Sequence, residues 1–529
     1  MIYKIAKKEI LLNLMTFKFT VGTIICVVFT GVFTSILLKD YQQRLENYNR
    51  AVADDAAELR TAKVYKNIGP VIYRRPEALS VFSEGLEKQL SNSVKIDFEN
   101  IPEIESKYAE NNPLLVIFST LDISLIFKIV LSILALLIAF DAISGERQRG
   151  TLKLMLAGTA GRHQVLAGKL LAGLITLFIP ITMSFIVALL ILCLLPNINL
   201  STSDLAVLTV MYVVSLVYIS ALYNLGLLVS CLTKEPTTSL MFVLLFWIIL
   251  ALLIPNISVS LAGEFCGPGS TEKTDRQVAA LKTEFNRKYS EFRKTLPSRA
   301  EQQFYGYGAY GAWYIGCSTA KAMQRYQQIF AYRQPLWEKY AQNMWKTRRE
   351  YLRKLVRQKH FADNISRCSP ISLYGGIMST LSGTDLNSFE DFIAQAITYR
   401  NAIGEYIRFR TDNFSSISYF SIAGEHDIEE YTRLVQDYLE AVAQAKKTSD
   451  DDSFVGFLTE LHEPLKRFGL EIEKRSKPLD LGDLPRFVYK SKGIIDSIRS
   501  CLFDTAMLIF INVLFFALSF VAFLRYDVR

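Results

Sequence analysis

The chain has no Gly-x-x-x-x-Gly-Lys-Ser/Thr phosphate loop. Gly168-Lys169 is followed by Leu170 and lacks the upstream glycine. A nucleotide site of that kind is therefore excluded, and the chain cannot hydrolyse ATP by itself. Histidine is scarce: His163, His360, His426 and His462 lie far apart, and His462-Glu463-Pro464 lacks the second histidine of a zinc-protease helix. No metal is expected. No Gly-x-Ser-x-Gly elbow marks a hydrolytic nucleophile, so the chain reads as no enzyme. Charge is nearly missing from several long stretches, which excludes a wholly soluble protein.

Apolar residues take the place of what is missing. Half of the 529 residues are hydrophobic and the mean hydropathy is +0.21, high for a soluble protein and low for one that is all membrane. A membrane helix needs about 20 mostly apolar residues. Six stretches meet that length, at 16–38, 114–140, 166–196, 203–231, 237–256 (rather short) and 505–524. Residues 39–113 and 257–504 are then large polar insertions. The expected fold is an all-α polytopic membrane protein of six transmembrane helices, with a mainly helical α+β domain outside the membrane built from the two insertions. The first run is too long for a signal peptide and is followed by Lys39-Asp40, with no small-residue cleavage site.

Orientation follows the short loops. Lys4, Lys7, Lys8 and Lys18 precede or open the first run. Arg147, Arg149, Lys153, Arg162 and Lys169 lie between the second and third, Lys234 between the fourth and fifth, and Arg525 and Arg529 follow the sixth. The loop from Pro196 to Ser201 has no basic residue. Both termini and the loop at 141–165 are thus expected in the cytosol and both insertions outside the cell.

Residues 1–17 read as an interfacial helix, with Ile2, Ile5, Ala6, Ile10 and Leu14 on one face and Lys4, Lys7, Lys8 and Glu9 toward water. It could instead simply extend the first span. In the first insertion, Tyr41 to Lys63 and Pro76 to Leu90 read as helical, and Val71–Tyr73 and Val94–Phe98 as strands. In the second, helices are expected at Asp275–Leu296, Thr319–His360, Ser388–Phe409, Asp427–Ala445 and Phe454–Phe468, with a Gly/Tyr-rich loop at Phe304–Gly311. The helix at Lys321–Lys359 is basic and interleaved with Tyr326, Phe330, Trp337, Tyr340 and Trp345. It is either a docking face for an anionic partner or a solvated basic face over an aromatic core stripe. Nucleic acid is not an expected partner. Cys266, Cys317, Cys368 and Cys501 fall outside the membrane, where four thiols could form up to two disulfides of undetermined pairing.

Away from the ends of the apolar runs the ionisable exceptions are Asp122 and Lys128. Such residues are functional candidates, six apart and so on different helical faces; alternatively Asp122 marks the outer interface and Lys128 snorkels toward it. Asn224 and Pro180 are further polar and kinking positions within spans.

The stretch with the strongest pattern is the loop after the second run, from Phe140 to Leu154. Asp141 ends the apolar run. Glu146, Arg147 and Arg149 give a polar face, and Leu152, Met155 and Leu156 recur at helical spacing. Gly158-Thr159-Ala160-Gly161 breaks the helix before the third run. The plain alternative is an ordinary interfacial loop rich in basic residues.

The Asp-x-x-x-x-Glu-Arg-x-x-Gly-Thr-Leu pattern at Asp141 to Leu152, followed by Arg162 and Lys169, resembles the permease subunits of type-2 ABC exporters. The six-run topology resembles theirs over the whole chain. Arg75–Glu87, Ser369–Tyr374 and Leu381–Asp385 resemble the large-loop permeases linked to multicopper enzyme maturation or gliding. Leu381-Ser382-Gly383-Thr384 only partly echoes an ABC signature and is assigned no nucleotide role.

The resemblance implies a permease in a bacterial cytoplasmic membrane, working with two copies of a separate ABC ATPase that carry ATP and magnesium. The permease itself would hold no cofactor. It would pair with a second permease copy or a sibling, sit among membrane lipids and meet a periplasmic partner. Asp141, Glu146, Arg147, Arg149, Gly150, Thr151 and Leu152 would form its coupling helix, with Glu146 and Arg147 pairing with charges in the ATPase groove and Gly150 permitting close backbone approach. The alternative function is mechanotransmission: the same motion acts on periplasmic partners and nothing crosses the membrane.

Overall fold

Six helices among the described residues are long and apolar enough to cross a membrane, and each contains most of one apolar run. The computed structural model describes residues 2–88, 90, 92–96, 103–104, 122–157, 161–194, 201–266, 271–296, 307–309, 312–314, 317–318, 320–414, 416–417, 421–422, isolated positions between 429 and 474, and 477–525. The expected start of the second span at 114–121, the glycine break at 158–160 and most of the helices expected at 427–445 and 454–468 lie outside those residues.

Span one is the front of a helix running Phe17–Thr61, capped by the Thr16 hydroxyl. Its polar half, from about Asp40, projects beyond any bilayer, since 45 residues reach about 68 Å. Span two starts at Ile123, behind an Asp122 cap. Span three is Arg162–Cys193 with Pro180 inside it, and span four is Thr202–Leu232, opened by a Ser201/Asp204 capping box. Span five reaches from Pro236 to Cys266 and is longer than its apolar run, and span six is Ile494–Leu524. The N-terminal helix, Ile2–Leu14, lies along span three. Ile5 comes so close to Gly168 that a Cβ there would sit 2.9 Å from its side chain.

Spans two and five each open into a π turn, at Phe127–Leu131 and Ile249–Leu253. Such turns leave carbonyls off the regular ladder, and hydroxyls take them up here. Ser132 Oγ and Tyr218 OH both donate to Lys128 O, and Ser369 Oγ donates to Leu250 O at 2.7 Å. Trp247 Nε1 donates to Ser132 Oγ at 2.9 Å, tying span five to the π turn of span two.

The broadest helix contact joins spans four and six. At its centre Asn224 Nδ2 donates to Asn512 Oδ1 at 2.6 Å, and Asn512 Nδ2 donates to Val217 O at 3.0 Å. Asn224 is thus a clasp between two helices, and its partner Asn512 went unnoticed in the sequence because a single asparagine in an apolar run has no periodic signal.

The two insertions share one core. Ile72 and Val94, from antiparallel strands Val71–Tyr73 and Ser93–Lys95, pack with Phe392, Ile393, Ile403 and Ile407 of helix Leu386–Arg410. A third short strand, Glu103–Ile104, completes that sheet. The helix expected over Pro76–Leu90 is instead a single tight turn, Ala78–Val81, followed by irregular chain through Gly85 at φ +52°. Helices Thr271–Lys294 and Ala320–Ser366 pair through Phe285, Trp337, Tyr340 and Met344. Most of the aromatic stripe of the basic helix is therefore core: Phe330, Trp337 and Tyr340 are buried. Part of the Gly/Tyr-rich loop is a strand pair, Tyr307–Ala309 with Ala312–Tyr314.

The two distant stretches at 75–87 and 369–385 meet at the end of the spans remote from the charged loop, called here the distal end. Leu86 N donates to Thr384 O at 2.9 Å, Ser382 Oγ to Ser83 O at 2.9 Å, and Arg74 to Gly383 O. Gly85 has no alternative: a Cβ would lie 2.4 Å from Thr384 Oγ1, and its φ is positive. Asp122 accepts from Glu84 N at 3.1 Å as well as from Ser124 Oγ and Leu125 N, both at 2.7 Å. Arg44 bridges Asp40 and Glu87 at 3.0 and 3.2 Å, and Lys88 bridges Asp40 and Glu84 at 3.2 and 3.1 Å. This junction joins the extension of span one, the mouth of span two and the second insertion.

Burial pushes the Glu77 and Glu84 carboxyls up to about 7, despite nearby Arg74 and Lys88. The folded chain therefore holds protons that the unfolded chain releases above about 4.5. Stability should fall as pH rises from about 4.5 through about 7 and level off above that. The expected result is a higher Tm for the detergent-purified chain at pH 5 than at pH 8, with the difference reduced in Glu84→Gln. A Tm that rises across that interval would be the wrong sign.

Candidate functional site

The charged loop is built as two short helices, Ser144–Gln148 and Thr151–Ala157, hinged at Gly150. The first is anchored by hydroxyls. Ser230 Oγ accepts from the backbone amides of Ile143 and Ser144, each at 3.0 Å, while Ser144 Oγ and Ser239 Oγ both donate to Phe140 O, at 2.8 and 2.7 Å. These bonds seat the loop on spans four and five.

Gly150 has φ +74°, the left-handed conformation that ends the first helix. A Cβ there would meet nothing within 4 Å. The glycine therefore serves the turn within this chain. Gly150→Ala should cost about 1–2 kcal/mol of loop stability through backbone strain, read as faster proteolytic cleavage between Arg149 and Lys153. Gly150→Asn should be milder, and equal cleavage rates for Ala and Gly would count against this account.

The charges do not point where the sequence places them. Asp141 pairs with Lys18 of span one at 2.8 Å, and the same ammonium lies 4.2 Å from the Phe140 ring centre. Glu146 turns inward. Its carboxylate meets Lys169 Nζ at 3.1 Å, and Lys169 meets Glu9 of the N-terminal helix at 3.1 Å. Lys169 is 1% exposed and the two carboxylates that hold it are half-buried. Glu9 thus faces the protein rather than water, and Glu146 is paired within the chain. Arg147 Nη1 donates to Thr233 O at 3.0 Å, between spans four and five. Both differences have one cause: a short helix seated on its amide end must turn one face inward, and Glu146 and Arg147 fall on that face.

What remains outward is Gln148, Arg149, Thr151, Lys153 and Leu154, with Leu152 buried beneath. Arg149 Nε donates back to Gly145 O at 3.2 Å and Thr151 Oγ1 to Glu146 O at 3.3 Å, so the outward face is held in shape. Leu154 is 77% exposed, an unpaired apolar side chain beside two cations. Lys7 and Lys8 on the N-terminal helix and Lys234 beyond span four are also exposed. Arg162 donates to Leu524 O, bringing the end of span six to this side. Lys169, Glu9, Ser230 and Thr233 were not legible as site residues: a lysine at the edge of an apolar run reads as a simple topology signal.

The other candidates separate. Asp122 and Lys128 lie near the distal end, Asp122 as a helix cap and Lys128 in the π turn. Cys266, Cys368 and Cys501 are free thiols, and Cys501 Sγ donates to Ile498 O. Among the described residues no disulfide joins these three. The Cys317 side chain lies outside the described residues.

A family model described as "ABC-2 family transporter protein" matches residues 3–528. No curated protein matches the chain.

Proposed function

The chain belongs to the ABC-2 family of transporter proteins and is a membrane-embedded ABC permease subunit; from that premise we propose that it is the permease of an ATP-driven exporter whose loop at Asp141–Leu152 couples it to a separate ABC ATPase. The observation that carries the reading is the outward Arg149–Leu154 face, which adjoins a helix whose inward face grips three other elements. Glu146 binds span three and, through Lys169, the N-terminal helix, while Arg147 and Ser230 bind span four. A push on Leu154 or Lys153 is thereby passed to several spans at once as rigid-body motion. In this reading Arg149, Thr151, Lys153 and Leu154 touch the ATPase, and Asp141, Glu146 and Arg147 transmit.

The charged end is the cytosolic one in this proposal, since its exposed Lys7, Lys8, Arg149, Lys153 and Lys234 follow the positive-inside rule. ATP and magnesium belong to the two ATPase copies. A second permease copy or sibling is supported by span five, whose apolar window is only 6% buried within this chain. A large uncovered apolar face suits either lipid or a partner helix.

Leu154→Glu with Lys153→Glu should lower recovery of the ATPase with the tagged permease by about tenfold, equal to about 1.4 kcal/mol, while the permease still inserts and purifies. Undiminished recovery would remove the contact role. Mechanotransmission remains as a second reading because the distal junction links the insertions to spans one and two through buried ion pairs. ATP-dependent movement of a substrate into vesicles by the reconstituted complex separates the two.

A further inference from the structure

Lys128 sits in the second turn of span two, about 9 Å below the Asp122 cap. Among the described residues no carboxylate pairs with it. Asp122, the nearest acid along the helix, is committed to Glu84 N, Ser124 Oγ and Leu125 N. An ammonium in the apolar part of a span costs a few kcal/mol unless something offsets it.

The surroundings are constructed rather than loose. The π turn frees the Lys128 carbonyl, which Ser132 and Tyr218 hold. Tyr218 stacks on Tyr374 with ring centres 4.3 Å apart, and the Tyr374 hydroxyl pairs with Ser215 Oγ at 2.9 Å. Tyr374 belongs to Pro370–Leu381, a short apolar helix packed against spans four and six at the distal end. The Lys128 side chain rests on that helix at Gly375. A Cβ on Gly375 would lie 2.8 Å from Lys128 Nζ, whereas one on Gly376 would meet nothing within 4 Å. Lys128 itself is only half-buried. Its neighbour Ile129 is 42% exposed. A half-buried cation with no paired carboxylate and with apolar surface beside it matches a molecule that has an anionic head and an apolar tail.

We propose that Lys128, against Gly375, is a binding seat for the phosphate or carboxylate head of an anionic amphiphile entering from the bilayer. The anion supplies the missing counter-charge, and the tail lies against the exposed side of span two. The seat needs no ATPase, so it stands or falls separately from the proposed transport function.

Trp247 is the natural reporter, since its indole is hydrogen-bonded to Ser132 beside the seat. The full chain is placed in phosphatidylcholine nanodiscs containing either brominated phosphatidylglycerol or brominated phosphatidylcholine. Quenching is read as the difference between wild type and Trp247→Phe. The anionic lipid should quench at a several-fold lower mole fraction than the zwitterionic one. Lys128→Gln should erase that preference and Lys128→Arg should keep it. Equal quenching by the two lipids in wild type, or a preference that survives in Lys128→Gln, overturns the proposal. Should Lys128→Gln not fold, the wild-type comparison and Lys128→Arg still decide. Millimolar inorganic phosphate should leave the quenching unchanged, and its loss would assign the seat to soluble anions and refute a lipid occupant.

Discussion

Lys169→Met should destabilise the chain by about 3–5 kcal/mol, the usual cost of removing one partner from a buried ion pair. The substitution keeps most of the side-chain volume and deletes the cation that Glu9 and Glu146 share. Two carboxylates then face each other with little water, and one must take up a proton or the N-terminal helix must lift. The cost should show as a large loss of Tm in detergent and as release of the N-terminal helix to protease. Because the defect is the uncompensated charge, Lys169→Met combined with Glu9→Gln and Glu146→Gln should recover much of the stability. If the single variant unfolds at the wild-type temperature, the triad is not holding these elements. The proposed function adds a consequence: the rescued variant is stable but its loop is no longer gripped by charge, so ATPase stimulation should remain low.

Gly173→Val should be as damaging for a steric reason. A Cβ on Gly173 would lie 2.0 Å from Tyr223 Cζ and 2.4 Å from its hydroxyl oxygen. Tyr223 is buried, and its hydroxyl donates to Lys169 O at 3.0 Å. The ring cannot swing aside without losing that bond, so spans three and four would have to separate. Overpacking of this kind costs about 1–3 kcal/mol and more where the neighbours are rigid. Poor recovery of folded Gly173→Val is expected, with partial recovery when Tyr223→Leu makes room. Normal yield and Tm for Gly173→Val would show that this seam yields easily. Lys169 and Gly173 are one helical turn apart and share Tyr223, so their effects should not add.

Much of the frame was legible before any coordinates. The apolar runs, the polar half of the first helix and the long helix after Ala320 all follow from composition and 3.6-residue periodicity, which are local properties. The loop pattern at Asp141–Leu152 marked a charged segment between two spans. It could not show which way Glu146 points, because helical spacing fixes relative faces but not which face docks. Glu9 is the sharpest case. Beside Lys7 and Lys8 it reads as part of a solvated face, yet it is half-buried against a lysine 160 positions later. The tight turn at Ala78–Val81 was missed for a related reason: Pro76–Leu90 has helical composition, but Ser83, Gly85 and Leu86 are claimed by Ser382 and Thr384.

The sequence alone therefore determined that this is a six-span membrane protein with two large insertions, because crossing a bilayer requires about 20 apolar residues in a row and nothing more distant. Only the tertiary structure decided where the charges go. The Glu9–Lys169–Glu146 triad, the Asn224–Asn512 clasp, the junction of Ser83 with Thr384 and the contact of Lys128 with Gly375 each depend on helices brought side by side. A buried charge is tolerated only beside a partner, and which partner it finds is set by packing between segments that share no local pattern.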